Sequence, residues 1–196
     1  MTPNELCFAS ATWLAERLRA GELSSLEVVD AYLARIETVN PSLNAVVRLN
    51  DDAREDARRA DRERSNGAIR GPLHGLPFTA KDSLDTAGVV TTAGTVAWRE
   101  RVPARDATVV ARVRAAGGIL LGKTNTPEFT WSSETDNDVY GKTSNPYDLS
   151  RSPGGSSGGP AAIVAAGGSP FDIGSDTGDS IRQPWLVCGI GGLKTT

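Results

Sequence analysis

Histidine is nearly absent. The 196 residues contain one, His74, with two cysteines, one methionine and 6% aromatic residues. A histidine-liganded metal cluster is therefore excluded, and the distant Cys7 and Cys188 make no zinc site. Two lone cysteines fit a reduced, cytoplasmic protein better than a disulfide scaffold. No apolar run approaches the roughly 18 residues of a membrane span, and Met-Thr-Pro-Asn-Glu-Leu-Cys-Phe does not read as a signal peptide. A net charge of −3, from 21 basic and 24 acidic residues, gives no reason to expect nucleic acid or an anionic membrane as a partner. Any hydrolytic mechanism must use His74 or dispense with histidine. His74 lies in the turn-rich Gly71-Pro-Leu-His-Gly-Leu-Pro and is expected to be structural.

What the chain does have is glycine and serine near its C-terminal end. Ser152–Ser180 holds two serine-bearing glycine loops around a short apolar segment, with Ser156 and Ser180 24 residues apart. Glycine at that density gives up helix and strand propensity for close backbone approach and free N–H groups, which serve a site more than a core.

The rest reads as an α/β domain. Residues 11–20 are expected to form a helix stopped by Gly21. Ser24 and Glu27 form a capping box for a helix carrying Leu26, Val29, Leu33 and Ile36, expected to end at Asn40-Pro41. A strand is expected at 45–49. Asp51–Arg64 reads as a solvated, charge-laced helix with Ala53, Ala57 and Ala60 on its one apolar side. Leu76–Ala80 is a strand run ending at Lys81-Asp82. Asp106 is expected to cap a helix with the apolar face Val109, Val110 and Val113. Ile119–Leu121 is a buried strand ending at Lys123, and strand–helix–strand order implies a parallel pair. A helix at 160–166, a strand at 171–174 and a helical turn at 181–187 complete the reading. The expectation is one domain over 1–196, with 1–70 mostly helical and 71–196 carrying the chemistry.

Two motifs match patterns whose physics they do not follow. Gly117–Thr124 fits the phosphate-loop pattern, but a helix precedes it and Asn125-Thr126-Pro127 discourages a helix after the lysine, so a nucleotide site is a lesser alternative. Gly154–Gly158 fits G-x-S-x-G, yet that mechanism needs a later histidine and none follows residue 74. A base other than histidine remains. Buried lysine loses its charge and becomes a competent base. Lys81, closing an apolar strand, is the best candidate, whereas Lys123 and Lys142 are expected to be solvated surface charges. Ser180 follows Thr177-Gly178-Asp179, whose N–H groups suit an oxyanion cradle.

Gly75-Leu-Pro-Phe-Thr-Ala-Lys81-Asp, Gly122-Lys-Thr-Asn-Thr-Pro-Glu-Phe129, Pro153-Gly-Gly-Ser-Ser-Gly-Gly159 and Gly174-Ser-Asp-Thr-Gly-Asp-Ser-Ile-Arg182 together resemble the amidase signature family over nearly the whole chain. The resemblance implies a three-layer α/β/α sandwich around a mixed sheet. It also implies a Ser–Ser–Lys triad that hydrolyses small-molecule amides without metal or organic cofactor. Ser180 would be the nucleophile, Ser156 the proton bridge and Lys81 the base, with the N–H groups of Thr177, Gly178, Asp179 and Ser180 holding the oxyanion. Thr126-Pro127-Glu128-Phe129 looks more like a general amidase than the A-type subunit of an amidotransferase. A homo-oligomer is left open, as is the identity of the residues that bind substrate.

The chain departs from the family pattern in four ways. Asp179 stands where the family has glycine, Trp185 where it has a small residue, and Thr195 where it has proline. The fourth is length: members are usually more than twice as long, so the domain is expected to be incomplete at its C-terminal end. Aspartate tolerates positive φ imperfectly and places negative charge beside a developing oxyanion. The expectation is thus an amidase with impaired catalysis, the alternative being a catalytically inactive fragment that persists as a partner-binding remnant.

Overall fold

The computed structural model describes residues 2–195. Its elements in chain order are α1 (Pro3–Cys7), α2 (Ala11–Ala20), α3 (Ser25–Leu43), β1 (Val46–Leu49), α4 (Ala53–Ser65), β2 (Pro77–Lys81), α5 (Thr108–Ala115), β3 (Ile119–Thr124), α6 (Gly158–Ala165), β4 (Asp172–Ile173) and α7 (Arg182–Val187), with single 3-10 turns at Val96–Trp98 and Glu128–Thr130.

The helix starts follow capping chemistry. Ser24 accepts from the Glu27 N–H while the Glu27 carboxylate accepts from the Ser24 N–H, satisfying two orphan donors at the start of α3. Gly21 closes α2 in the left-handed region at φ +76°. Two expectations are corrected. α3 runs through Pro41 to Leu43, because the Asn44 N–H closes the last turn onto the Asn40 carbonyl at 2.7 Å and Leu43 packs in the core. Proline withdraws one N–H there, a smaller loss than the burial of that turn returns. Asp106 does not cap α5. Ala107 holds that position, and the Asp106 carboxylate accepts the Ala87 N–H at 2.7 Å and faces Arg114.

Among the described residues the strands form one mixed sheet in the order β1-β3-β2-β4, with β1 antiparallel to β3 and the two other pairs parallel. Apolar clusters cover both faces. Leu76, Ile119 and Leu121 pack with α2, α3, α4 and α6, while Phe78, Ala80 and Leu120 pack with Val110 of α5. This is the expected three-layer arrangement. Val109, expected on that face, is instead 39% exposed. α4 buries only Ala53, Ala57 and Ala60, and its charges pair on the solvent side.

One irregularity positions the chemistry. Phe78 pairs with Leu120 but Thr79 with Gly122, so Leu121 is an extra residue in β3. Beyond the bulge Lys123 pairs with Ala80 and Lys81 with Thr124. Adjacent positions alternate faces, so the two lysines emerge on opposite sides of the sheet. Both are fully buried, which corrects the expectation of a solvated Lys123; Lys142 is exposed as expected. The same geometry removes the phosphate-loop reading, because Gly122, Lys123 and Thr124 are interior strand residues with no helix after them.

Candidate active site

Lys81 ends β2 at its C-terminal edge, where ligand sites of α/β sheets gather. Its Nζ lies 2.6 Å from Ser156 Oγ, 3.0 Å from Ser157 Oγ and 3.0 Å from Ser175 Oγ. Burial pushes the amine down to about 7, against the carboxylates of Asp172 and Asp176, which pull it back toward the charged form. Three hydroxyl oxygens match the three N–H groups of an ammonium, and an uncharged amine also fits among them. Ser157 Oγ already donates to the Ser175 carbonyl at 3.1 Å, so it can only accept from Nζ. With one N–H given to Ser157 and one to Ser175, the lone pair is left for the proton of Ser156.

Ser156 is fixed by its surroundings. The Thr126 hydroxyl donates to the Ser156 carbonyl at 3.1 Å, and the Gly155 N–H donates to Gln183 Oε1 at 3.1 Å. A Cβ on Gly159 would lie 2.4 Å from the Asn125 nitrogen, and one on Gly155 2.7 Å from the Glu134 nitrogen. Only glycine lets this loop sit so close to neighbouring backbone.

The second loop is organised by Asp176, whose side chain is 1% exposed. Its carboxylate accepts the N–H groups of Asp179 at 2.9 Å, Ile181 at 3.0 Å and Arg182 at 3.3 Å, and it takes the Arg182 guanidinium at 2.9 and 3.0 Å. These bonds, the guanidinium's first, hold the carboxyl well below the usual carboxylate range. Asp179 has φ +86°, so this backbone takes the conformation that favours glycine. Its N–H is donated to Asp176 instead of facing the cleft. Among the described residues, the amides of Thr177, Gly178 and Ser180 have no acceptor.

The two loops meet where the Ser157 N–H donates to the Ser180 carbonyl at 3.1 Å. Ser156 and Ser180 both line a cleft of about 550 Å³ with Trp131, Ser175, Thr177, Gly178, Asp179 and Gln183. The Ser180 hydroxyl makes no hydrogen bond among the described residues, so the structure brings Lys81 onto Ser156 and Ser180 into the same cleft without closing a Ser156–Ser180 bond. Catalytic contacts in ligand-free proteins are often open and tighten with substrate.

Four loop motifs thus converge at one end of the sheet. Residues 27–196 match the family model named Amidase. The chain belongs to the amidase family. Curated relatives include the A subunit of glutamyl-tRNA(Gln) amidotransferase from a Synechococcus strain, 48% identical over 182 residues, and that from Prochlorococcus marinus, 50% identical over 187. Those matches cover 92% and 95% of this chain but only 37% and 38% of the relatives' length. Among solved structures, peptide amidase from Stenotrophomonas maltophilia is 41% identical with a TM-score of 0.86, covering 90% of this chain and 38% of that one. Fatty acid amide hydrolase is 33% identical at a TM-score of 0.89, covering 94% and 33%.

The remaining candidates separate cleanly. His74 accepts the Arg70 N–H on Nδ1 at 3.2 Å and has Nε2 2.9 Å from the Ala60 carbonyl. Both nitrogens are occupied far from the cleft, a structural role. Lys123 bonds the Leu84 carbonyl and Thr86 Oγ1 on the opposite face, and burial pushes it to about 8. The sequence reading missed Ser157, Ser175 and Asp176. All three lie inside the quoted motifs, and the Asp176–Arg182 spacing of opposite charges was the available signal for the last.

Proposed function

We propose that this cleft hydrolyses carboxylic amides through an acyl-enzyme. Ser180 attacks the carbonyl, its proton passes to Ser156, and Ser156 gives its own to Lys81. The amides of Thr177, Gly178 and Ser180 receive the oxyanion. The proton returns through Ser156 to the leaving nitrogen, ammonia or an amine departs, and water cleaves the ester. The observation that carries this reading is the 2.6 Å Lys81–Ser156 contact at a fully buried lysine. No step calls for a metal or organic cofactor.

Asp179 slows this reaction on neutral amides, because it adds a negative charge to the lining of the cleft in which the oxyanion develops. A purified chain should release p-nitroaniline from a simple acyl p-nitroanilide slowly, and Ser180→Ala or Lys81→Ala should abolish the release. Turnover at rates ordinary for amidases would remove the impairment. Release that persists in Ser180→Ala would remove the nucleophile. Release absent from the unaltered chain under all conditions would favour a non-catalytic binding remnant.

A second reading is favoured by eight curated relatives, each the A subunit of a glutamyl-tRNA(Gln) amidotransferase and 45–50% identical to this chain. In that case the same serine would release ammonia from an amide for a partner protein. Ammonia release from glutamine, stimulated by a charged tRNA and partner proteins, distinguishes it from a stand-alone amidase.

A further inference from the structure

Asp179 is the only charged residue among those lining the cleft beside Ser180. Its side chain is 59% exposed, and its carboxylate makes no hydrogen bond among the described residues. Arg182 offsets it only in part. That guanidinium is held by two hydrogen bonds to Asp176, while its 3.3 Å approach to Asp179 is an ion pair without one. Two carboxylates share one guanidinium, so the group carries a net −1, and Asp179 is its one member that lines the cleft.

A second feature of the cleft is an exposed indole. Trp131 is 92% exposed, and it is carried on a turn in which Phe129 and Thr130 adopt φ +48° and +63°. Two successive non-glycine residues in the left-handed region carry a conformational cost. Phe129 is anchored edge-on to Trp98 at 5.3 Å, and the turn leaves the indole as an unpacked wall of the cleft. A carboxylate and an exposed indole in one cleft share a preferred ligand, an organic cation: the first supplies charge and the second its electron-rich face.

We propose that Asp179 and Trp131 form a cation subsite, and that the amides this cleft takes carry a protonated amine within a few bonds of the scissile carbonyl. The proposal rests on the reading of Ser180 as nucleophile, since the neighbouring position of Asp179 sets the distance from cation to carbonyl. It also accounts for the aspartate. Its charge opposes an oxyanion when the substrate is neutral, and a substrate ammonium offsets it.

The test compares the p-nitroanilides of β-alanine and of butyric acid, whose acyl groups differ by an ammonium in place of a methyl, at pH 7.5. The expected preference for the β-alanyl compound is about tenfold in kcat/KM, in the range of a partly exposed charge pair with added indole contact. Asp179→Asn, which keeps a residue tolerant of positive φ, should lower the ratio to about three. Trp131→Ala should lower it about threefold. The Ser180→Ala variant supplies a reading independent of chemistry: it should bind the β-alanyl compound about tenfold more tightly by calorimetry. Equal binding and equal turnover of the two compounds, or a preference undiminished in Asp179→Asn, overturns the subsite. Tight, Asp179-dependent binding without any Ser180-dependent acylation overturns the catalytic reading and leaves the subsite standing.

Discussion

The protonation of Lys81 has a measurable consequence for rate. With the amine at about 7, the uncharged base makes up about one-tenth of the protein at pH 6 and about nine-tenths at pH 8, so acylation should rise about tenfold between them and then level off. An unperturbed lysine near 10.5 would instead give a rate still climbing about tenfold per pH step at pH 9. The assay is the rate of labelling by a fluorophosphonate over pH 5.5–9.5, with Ser180→Ala as the control. A flat profile between pH 6 and 8, or a rise beginning only above pH 9, refutes the assignment of Lys81 as the base.

The same burial has a stability signature. Below about pH 7 the folded protein holds a buried ammonium that the unfolded chain exposes to water. The gap between 10.5 and about 7 corresponds to about 5 kcal/mol of destabilisation at low pH, which fades as pH rises from 7 toward 10.5. Lys81→Met removes that cost and leaves three hydroxyls without their partner, a loss of about 1 kcal/mol each. The variant should therefore be about 2 kcal/mol more stable than the unaltered protein at pH 6 and no more stable at pH 9, by urea titration. Destabilisation at pH 6 would contradict the burial argument.

Three further perturbations address the loops. Asp176→Asn removes the charge that gathers the amides of residues 179, 181 and 182 and strands Arg182, so it should cost about 3 kcal/mol in urea titration and reduce labelling at least tenfold. Asp179→Gly relieves a positive φ and should raise stability by about 1 kcal/mol in thermal melts while speeding hydrolysis of neutral amides; slower hydrolysis would show that the carboxylate does not oppose the oxyanion. Gly159→Ala forces a Cβ into the Asn125 backbone and should cost about 2 kcal/mol or more, with labelling falling in step as the Ser156 loop shifts.

Most of the framework was legible in the sequence because local signals agreed with the tertiary outcome. The Ser24–Glu27 box, the Gly21 stop and the alanine stripe of α4 each specify an element without help from distant residues. The failures fell where a distant contact decided the result. Burial of Leu43 carries α3 past Pro41, and Ala87 takes the Asp106 carboxylate that local chemistry assigns to a cap. Lys123 looked solvated because exposure is the ordinary state of a lysine, and the Leu84 carbonyl and Thr86 hydroxyl that hold it lie 39 and 37 positions away. At the site, glycine density and lysine placement at a strand end pointed to Lys81, Ser156 and Ser180. The second and third hydroxyls around Nζ were not legible, since hydrogen bonds between residues 76 and 94 positions apart leave no periodic trace. Asp179 was the instructive case: its departure from glycine was visible at once, but the positive φ and the diversion of its N–H to Asp176 needed coordinates.

The central claim is that Ser180 is acylated through Ser156 by an uncharged Lys81, and mapping the covalent site tests it most directly. After fluorophosphonate treatment at pH 8, peptide mass spectrometry should find the adduct on Ser180 alone, with labelling lost in Ser180→Ala and slowed at least a hundredfold in Lys81→Ala and Ser156→Ala. An adduct on another residue, or labelling unchanged in Ser180→Ala, would contradict it.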